Sequence, residues 1–241
     1  MELNICILAG GEGKRMKTNI PKVCNMYKNK PMIVYIIEES LKLNPKKVVI
    51  ITGKHYNYIY ETINKYIIEN FNKLYFVIQE TPLGTGNAVL CSIKEYNDNE
   101  KVLILNGDCP NIKSNLLEKF IENEENKLMI SEIENPFGYG RVIMNENNEI
   151  IKIIEEKDTN NEEKKINKIN SGIYIIGSND LKKYVLEIKN NNKQKEYYLT
   201  DIIEIMNNNN KIIKGYMINK DENKYIYGVN TIDDLNNLEK M

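Results

Sequence analysis

The stretch Asn4-Ile-Cys-Ile-Leu-Ala-Gly-Gly-Glu-Gly-Lys-Arg-Met16 decides the fold of this 241-residue chain. Its first six residues form a short apolar run that stops at Gly10 and Gly11, which is typical of a buried strand that ends in a glycine loop. Glycine lets the backbone approach an anion closely, because no Cβ stands in the way and the N–H groups can point inward. We therefore predict an N-terminal strand that leads directly into a phosphate-binding loop.

Two familiar phosphate loops do not fit this stretch. A P-loop requires glycine, four residues and then Gly-Lys-Ser/Thr, whereas here the Gly-Lys pair is followed by Arg15 and Leu8 stands where the first glycine belongs. The dinucleotide fingerprint requires a third glycine where the chain has Met16. What remains is a glycine loop with the cations Lys14 and Arg15, followed by Lys22. Backbone donors combined with Arg and Lys suit a triphosphate.

Apolar runs and helical patterns alternate along the first part of the chain, which predicts βαβ units and a mostly parallel sheet. From about Lys127 successive β-rich segments predominate. We therefore predict one α/β domain over residues 1–241, with a nucleotide-binding front half (about 1–110), a substrate-facing back half (about 111–230) and a closing helix (231–241). The predicted strands are Asn4–Ala9, Val48–Thr52, Leu74–Ile78, Val102–Leu105, Leu128–Glu134, Arg141–Met144, Ile150–Glu155, Ile169–Ile176, Ile212–Ile218 and Tyr225–Val229. The predicted helices are Pro31–Leu43, Tyr56–Glu69, Asn87–Glu95, Asp180–Ile188, Tyr198–Asn207 and Ile232–Met241.

The charge balance excludes several classes of partner. The chain has 33 Lys+Arg against 34 Asp+Glu, a formal net charge of -1, so neither a broad nucleic-acid surface nor a polybasic membrane anchor is expected. The four cysteines are scattered without a CxxC pair, which favours neither a zinc site nor a disulfide framework. The first apolar run is too short for a signal core or a membrane span. We expect a cytoplasmic protein without nucleic-acid or membrane partners.

Seven ordered motifs identify a family resemblance, and they extend over nearly the whole chain. The loop Leu8–Met16 with Pro21-Lys22 resembles the signature of sugar-1-phosphate nucleotidyltransferases. The short gap from Arg15 to Lys22 resembles the uridylyltransferase domain of the bacterial bifunctional N-acetylglucosamine-1-phosphate enzyme. The other motifs are Gln79-x-x-x-Leu-Gly-Thr-Gly-Asn-Ala88, Asn106-Gly-Asp-Cys-Pro110, Gly138-Tyr-Gly-Arg141, Glu155-Glu-Lys-Asp158 with Ile169-Asn-Ser-Gly-Ile173, Glu196-Tyr-Tyr-Leu-Thr-Asp201 and Gly228-Val-Asn230.

The resemblance implies a fold, a reaction and a set of site residues. The expected fold is α/β, a Rossmann-like nucleotidyltransferase (GT-A-like) fold with a mostly parallel mixed central sheet flanked by helices. The expected reaction is magnesium-assisted, in-line attack of N-acetylglucosamine 1-phosphate on the α-phosphorus of UTP. A phosphate monoester is already anionic at pH 7, so alignment and charge neutralisation suffice. The implied catalytic residues are Arg15 and Lys22, and the implied Mg2+ ligands are Asp108 and Asn230. The implied nucleotide contacts are Leu8, Ala9, Gly10, Gly11, Gly13, Gln79, Gly84 and Thr85, and the implied sugar contacts are Gly140, Glu155, Asn170, Tyr198 and Thr200.

Gln79 is a sensible reader of a pyrimidine, because an amide can donate to one polar atom of uracil and accept from its N–H. Arg141 is interpreted as structural, orienting its loop or pairing with an acid. The family often has Tyr where this chain has Asn106, so contacts beside the metal are expected to differ.

Several alternatives remain open. The bifunctional family continues into a β-helix acetyltransferase domain, which is not expected here, and the resemblance gives no oligomeric state. A uridylyl- or thymidylyltransferase that acts on glucose 1-phosphate would share the glycine loop. A glycosyltransferase of similar fold would require an Asp-x-Asp metal motif, and position 106 is Asn. A non-catalytic sugar-nucleotide sensor is the remaining alternative.

Overall fold

The computed structural model describes residues 1–123 and 125–240, and the predicted closing position Met241 lies outside this range. The strands are β1 Leu3–Leu8, β2 Met26–Tyr27, β3 Lys30–Pro31, β4 Lys47–Thr52, β5 Leu74–Ile78, β6 Lys101–Asn106, β7 Lys127–Glu132, β8 Arg141–Met144, β9 Ile150–Ile154, β10 Lys168–Gly177 and β11 Lys214–Met217. The helices are α1 Met32–Lys42, α2 Tyr56–Tyr66, α3 Thr85–Ser92, α4 Ser114–Ile121, α5 Ser178–Tyr184, α6 Asp201–Asn208 and α7 Ile232–Glu239.

The central sheet has the strand order β11-β7-β10-β6-β1-β4-β5. Strand β1 lies between β6 and β4 and pairs with both in parallel, and β5 continues the parallel set beside β4. Because β1 is covered on both faces, the residues after Asn4 form a continuous apolar run rather than an alternating one. The predicted parallel sheet of the front half is therefore confirmed.

The back half completes the same sheet with antiparallel strands. Strand β10 pairs antiparallel with both β6 and β7, and β11 then adds to β7 in parallel. Strands β8 and β9 form an antiparallel arm that joins β10 at the pair Ile169–Arg141. The register of β10 against β7 shifts between Asn170 and Tyr174, and a bulge of this kind redirects side chains.

Two hydrophobic layers cover the two faces of the sheet. Ile5 and Ile7 of β1 pack into the layer beneath α1, α2 and α4, whereas Cys6 packs into the layer that contains α3, α5 and α6. This alternation follows from the two-residue period of a strand. Helix α7 covers a smaller cluster with Met16 and Tyr27, so the closing helix packs against the segment that follows the glycine loop.

The structure corrects two details of the predicted elements. Tyr225–Val229 is not a strand, because a 3-10 turn occupies Lys220–Tyr225 and the Val229 N–H donates to the Asp108 carbonyl at 2.9 Å rather than to a neighbouring strand. Helix α4 was not predicted, although Leu116, Leu117 and Phe120 bury one face of it. None of the helices in the described ranges has the length and apolar character needed to cross a bilayer.

Candidate active site

The glycine loop begins at the carboxyl edge of the parallel strands. The Ala9 N–H donates to the Ile51 carbonyl at 2.8 Å, and the Leu8 carbonyl accepts the Gly107 N–H at 2.9 Å. The first turn after β1 is thereby tied to the ends of β4 and β6. Ligands of open α/β sheets bind at this edge, so the loop lies where a nucleotide site is expected.

Residues 10–13 form one wall of a cleft of about 1100 Å³. A Cβ at Gly11 would meet no atom within 4 Å, so no neighbouring protein group requires glycine there and the space beside it is open. Of the predicted nucleotide contacts, Gly10, Gly11 and Gly13 line the cleft, whereas Leu8 lines the pocket that adjoins it. Ala9 does not: it is 2% exposed, and its N–H is already used by Ile51.

Two cations and two oxygen-bearing side chains meet where the cleft joins the inner pocket. The Arg15 guanidinium donates to Asn230 Oδ1 at 2.9 Å, and the Lys22 ammonium donates to the same oxygen at 3.2 Å. Lys22 Nζ also forms an ion pair with Asp108 Oδ2. The predicted catalytic and metal-ligating residues are therefore together, although they lie up to 215 positions apart in the chain. The side chain of Lys14 lies outside the described part of the structure.

The oxygen set beside Lys22 fits a magnesium ion. Asp108 and Asn230 supply a carboxylate and an amide oxygen, and one ammonium group already bridges both. A Cβ at Gly228 would lie 3.4 Å from Asp108 Oδ1, so glycine keeps the space beside the carboxylate free. Within the described ranges, no group of three His, Cys, Asp or Glu side chains forms a complete metal cage. Mg²⁺ is typically held by one or two carboxylates together with substrate phosphates, and this donor set matches that pattern.

Gln79 follows β5 and is held against the start of α3. Its Nε2 group donates to the Gly84 carbonyl at 3.0 Å and to Asn87 Oδ1 at 2.8 Å. Thr85 Oγ1 accepts the N–H of Leu199 at 3.0 Å, which ties the first residue of α3 to the segment before α6. The predicted nucleotide contacts Gln79, Gly84 and Thr85 all line the cleft.

A smaller pocket of about 250 Å³ opens from the cleft, and Arg15, Thr85 and Glu155 line both spaces. The predicted sugar-contacting residues Gly140, Glu155, Asn170 and Thr200 line this inner pocket. The Thr200 hydroxyl donates to Glu155 Oε1 at 3.1 Å, and the Asn170 N–H donates to the Gly140 carbonyl at 2.9 Å. Burial raises the pKa of Glu155, and the hydrogen bond from Thr200 offsets part of that rise.

Tyr198 is the predicted sugar residue that the structure does not bring to the site. It is 6% exposed and does not line the inner pocket. Burial raises the pKa of its hydroxyl to about 12. Helix α6 begins at Asp201 rather than at Tyr198, and in the turn that precedes it Thr200 lines the pocket instead.

The inner pocket has further lining residues that sequence reasoning missed, among them Tyr139 and Tyr174. Tyr174 lies on β10 with Asn170, but the register shifts between the two residues, so the two-residue period of a strand could not have assigned them to one face. Asn106, noted above only as a departure from the family, also lines the pocket and donates to the Ser171 carbonyl at 3.3 Å. It packs against Gly172, where a Cβ would lie only 2.1 Å from Asn106 Nδ2.

Arg141 supports the pocket from behind. Its side chain is buried and donates to Glu156 Oε2 at 2.7 Å and to the Tyr139 carbonyl. Glu156 Oε2 in turn accepts the Gly138 N–H at 3.1 Å. The interpretation of Arg141 as a structural residue that pairs with an acid agrees with these contacts.

This arrangement is that of a nucleotidyl-transfer site, and comparison with known proteins gives the same class. The family model described as nucleotidyl transferase matches residues 5–235. The chain therefore belongs to the nucleotidyl transferase family.

Two curated relatives are similar over most of this chain. A probable UDP-N-acetylglucosamine pyrophosphorylase of Acanthamoeba polyphaga mimivirus is 41% identical over 248 residues, covering 100% of this chain and 96% of the relative. The bifunctional protein GlmU of Caldicellulosiruptor saccharolyticus is 39% identical over 232 residues, covering 93% of this chain and 48% of the relative. The chain thus spans about half the length of that GlmU. The family resemblance seen in the motifs is confirmed.

Among solved structures, a UDP-glucose pyrophosphorylase complexed with UDP-glucose superposes with a TM-score of 0.77 at 21% identity, covering 100% of this chain and 98% of that one. HddC from Yersinia pseudotuberculosis, complexed with GMP-PN, superposes with a TM-score of 0.70 at 19% identity and 98% coverage of both chains. At these identities the likeness concerns the fold, and it confirms the Rossmann-like, GT-A-type architecture.

Proposed function

We propose that this protein transfers a uridylyl group from UTP to N-acetylglucosamine 1-phosphate and releases UDP-N-acetylglucosamine and pyrophosphate. The observation that carries this proposal is the meeting of Arg15, Lys22, Asp108 and Asn230 where the glycine-loop cleft joins the inner pocket. The cleft has room for a nucleoside triphosphate, and the inner pocket adjoins it at the position of the cations. The name of the mimivirus relative, a probable UDP-N-acetylglucosamine pyrophosphorylase, supports the choice of substrates.

The reacting atoms would meet at the cation cluster. The anionic phosphate oxygen of the sugar 1-phosphate attacks the α-phosphorus of UTP, and the bond from that phosphorus to the oxygen of the leaving pyrophosphate breaks. Lys22, whose ammonium group lies against Asp108, would turn to the α-phosphate oxygens, and Arg15 would brace the leaving diphosphate with its planar fork. Asp108 and Asn230 are the residues that would hold Mg²⁺, which when bound neutralises phosphate charge.

The inner pocket would hold the sugar through its polar groups. Glu155 and Asn170 offer oxygen acceptors for sugar hydroxyls, and Thr200 fixes one oxygen of the Glu155 carboxyl group. No general base is required, because the attacking phosphate is already an anion at pH 7. Alignment and charge neutralisation would then supply the rate enhancement.

The cysteines support a location for this chemistry. Cys6, Cys24, Cys91 and Cys109 are all free, and Cys91 alone is not fully buried. Free cysteines are typical of reducing compartments. We infer that the protein acts in the cytoplasm.

The test is pyrophosphate release with Mg²⁺ for UTP, dTTP and CTP, each paired with N-acetylglucosamine, glucose and N-acetylgalactosamine 1-phosphates. We expect kcat/KM to be highest for UTP with N-acetylglucosamine 1-phosphate, by about tenfold or more over glucose 1-phosphate. Release with glucose 1-phosphate alone would favour the alternative substrate. The absence of release with every pair would leave a non-catalytic binding protein.

A further inference from the structure

Both N–H donors of the Gln79 side-chain amide form hydrogen bonds within the protein. One Nε2–H points to the Gly84 carbonyl at 3.0 Å and the other to Asn87 Oδ1 at 2.8 Å. A side-chain amide carries two donors on nitrogen and an acceptor oxygen. Within the described residues, Oε1 accepts no hydrogen bond, while the side chain lines the nucleotide cleft. Gln79 therefore presents an acceptor to whatever lies in the cleft.

The orientation of this amide is fixed by a backbone group that cannot exchange its role. The Gly84 carbonyl also accepts the Ala88 N–H at 3.1 Å, the first helical hydrogen bond of α3. Turning the Gln79 amide by 180° would place Oε1 against this carbonyl oxygen, where two acceptors repel each other. The Asn87 carboxamide, from the first turn of α3, supplies the second acceptor. The Gly84 carbonyl and Asn87 Oδ1 thus form a clamp that holds both N–H groups of the Gln79 amide.

We propose that Asn87 is a positioning residue that makes Gln79 an acceptor-only reader of the base. The clamp selects a pyrimidine 5′-triphosphate whose base carries an N–H at ring position 3. Uracil and thymine carry this N–H, whereas cytosine does not. This inference rests on the proposed nucleotidyl transfer and specifies which bases its nucleotide site accepts. It also changes the expectation from the sequence, in which Gln79 both donates to and accepts from the base.

The selection follows from unpaired acceptors. In uracil, N3–H donates to Oε1. In cytosine, N3 is itself an acceptor and would face Oε1 without a proton between them, which costs free energy in a partly buried site. The amino group of cytosine lies on the neighbouring ring atom, so the base would have to shift in the cleft to reach Oε1. The clamp does not separate UTP from dTTP, because both carry the same N3–H.

The experiment measures the dissociation constants of UTP, dTTP and CTP in the presence of Mg²⁺ and without any sugar phosphate. The variants are Asn87→Leu, which removes the acceptor, Asn87→Asp, which keeps an acceptor at the same place, and the control Asn115→Leu. Asn115 is an exposed residue in the first turn of α4. Asn87→Ala is a second truncation in case the leucine variant does not fold, and thermal melting is recorded for each protein.

We expect the wild type to bind UTP and dTTP about a hundredfold more tightly than CTP, and Asn87→Leu to lower this preference by about tenfold. Asn87→Asp should stay within about threefold of the wild-type ratio, and Asn115→Leu should equal the wild type. The inference is overturned by an unchanged ratio in the truncated variants, by an equal loss in Asn87→Asp, or by a wild type that binds CTP as well as UTP. A retained base preference without turnover of N-acetylglucosamine 1-phosphate would contradict the proposed function and leave this inference standing.

Discussion

At the scale of single residues, Lys22 and Arg15 both donate hydrogen bonds to Asn230 Oδ1, but their charged groups differ in shape and exposure. Lys22 is a point charge that bridges Asp108 and Asn230, and its side chain is only 15% exposed. Arg15 is exposed and reaches Asn230 with one nitrogen at 2.9 Å. The other donors of the guanidinium fork are thus available to a diphosphate.

We expect Lys22→Ala and Arg15→Ala each to raise the barrier for turnover by about 2–5 kcal/mol, because each removes charge stabilisation at the reacting phosphates. The measurement is kcat/KM for pyrophosphate release with UTP. Arg15→Lys keeps the charge but not the fork and should recover only part of the rate. Lys65→Ala, an exposed cation on α2, is the matched control. Near-wild-type rates in either alanine variant would remove that residue from the proposed mechanism.

Tyr174 offers a residue-scale prediction about stability. Its side chain is 1% exposed, and its buried hydroxyl lies near the Asn170 side chain without a well-formed hydrogen bond in the described structure. A buried polar group without a partner costs about 1–3 kcal/mol, while the ring packs in the layer with α5 and α6. We expect Tyr174→Phe to raise the free energy of unfolding by about 1 kcal/mol in denaturant titration. A loss of stability would show that the hydroxyl has a partner in solution.

Motif spacing predicted which residues lie together between the cleft and the inner pocket. Lys22, Asp108 and Asn230 could be assigned to one cluster because the family pattern gives their order and distance along the chain. The pattern could not separate Tyr198 from Thr200, since both lie in one short motif before a helix. Which of the two faces the pocket depends on the backbone direction at the start of α6, and that is set by packing across the two halves of the sheet.

At the scale of secondary-structure elements, the start of α3 depends on Gly84. Its φ of +114° is rarely adopted by residues with a side chain, and a Cβ there would lie 2.6 Å from the Tyr197 carbonyl oxygen. Tyr197 and Leu83 pair through the backbone at 2.8 Å. The tight approach between the α3 loop and the segment before α6 therefore requires glycine.

We expect Gly84→Ala to lower the free energy of unfolding by about 2–4 kcal/mol, because it adds both backbone strain and a clash with fixed backbone atoms. Gly11→Ala is the matched variant: a Cβ there meets no atom within 4 Å. We expect it to change stability by less than about 0.5 kcal/mol and yet to weaken UTP binding, because the space it fills is the proposed nucleotide site. The measurements are thermal melting and UTP affinity. Equal melting temperatures of the two variants would contradict this assignment of the glycines.

Periodicity predicted the elements of the front half well because β1, β4 and β6 are buried on both faces and the helices show one apolar face. It was wrong at Tyr225–Val229, where Ile226 packs into the core layer with α1 and α4 and Val229 packs into the cluster covered by α7, although neither lies in a strand. A short apolar run indicates that its residues are buried. It does not indicate whether they are buried in a sheet or beneath a loop, because that depends on the tertiary structure.

At the scale of the whole molecule, the two ends of the parallel strands have different roles, one in the active site and one in stability. The carboxyl ends of β1 and β6 lead into the glycine loop and Asp108. The opposite end is held by Glu100, which accepts hydrogen bonds from Asn4 Nδ2 at 2.7 Å, the Asn97 N–H at 2.8 Å and Lys46 Nζ at 2.6 Å. This carboxyl group connects the beginnings of β1, β4 and β6, about one strand length from the cation cluster.

A substitution at the Glu100 end of the sheet should therefore lower the free energy of unfolding without changing the rate of the reaction. Burial alone would raise the pKa of Glu100, but the hydrogen bonds from Lys46, Asn97 and Asn4 outweigh it and lower the pKa from 4.5 to about 2. Because the pKa is lower in the folded state, the stabilisation is fully present above about pH 4.5 and is lost as the pH falls toward 2.

We expect Glu100→Gln to lower the free energy of unfolding by about 2 kcal/mol at pH 7. The NH2 group of the new amide would face the N–H donors of Lys46 and Asn97, where the carboxylate accepts hydrogen bonds. The difference from the wild type should shrink between pH 4.5 and pH 3, where the wild-type carboxyl group loses its charge-dependent advantage. The measurements are denaturant titrations at several pH values, with the exposed Glu61→Gln on α2 as the matched control. At pH 7 and a temperature where the variant is fully folded, its kcat should equal that of the wild type. A loss of stability that does not depend on pH would assign the effect to packing, and a fall in kcat would show that the Glu100 end of the sheet also shapes the active site.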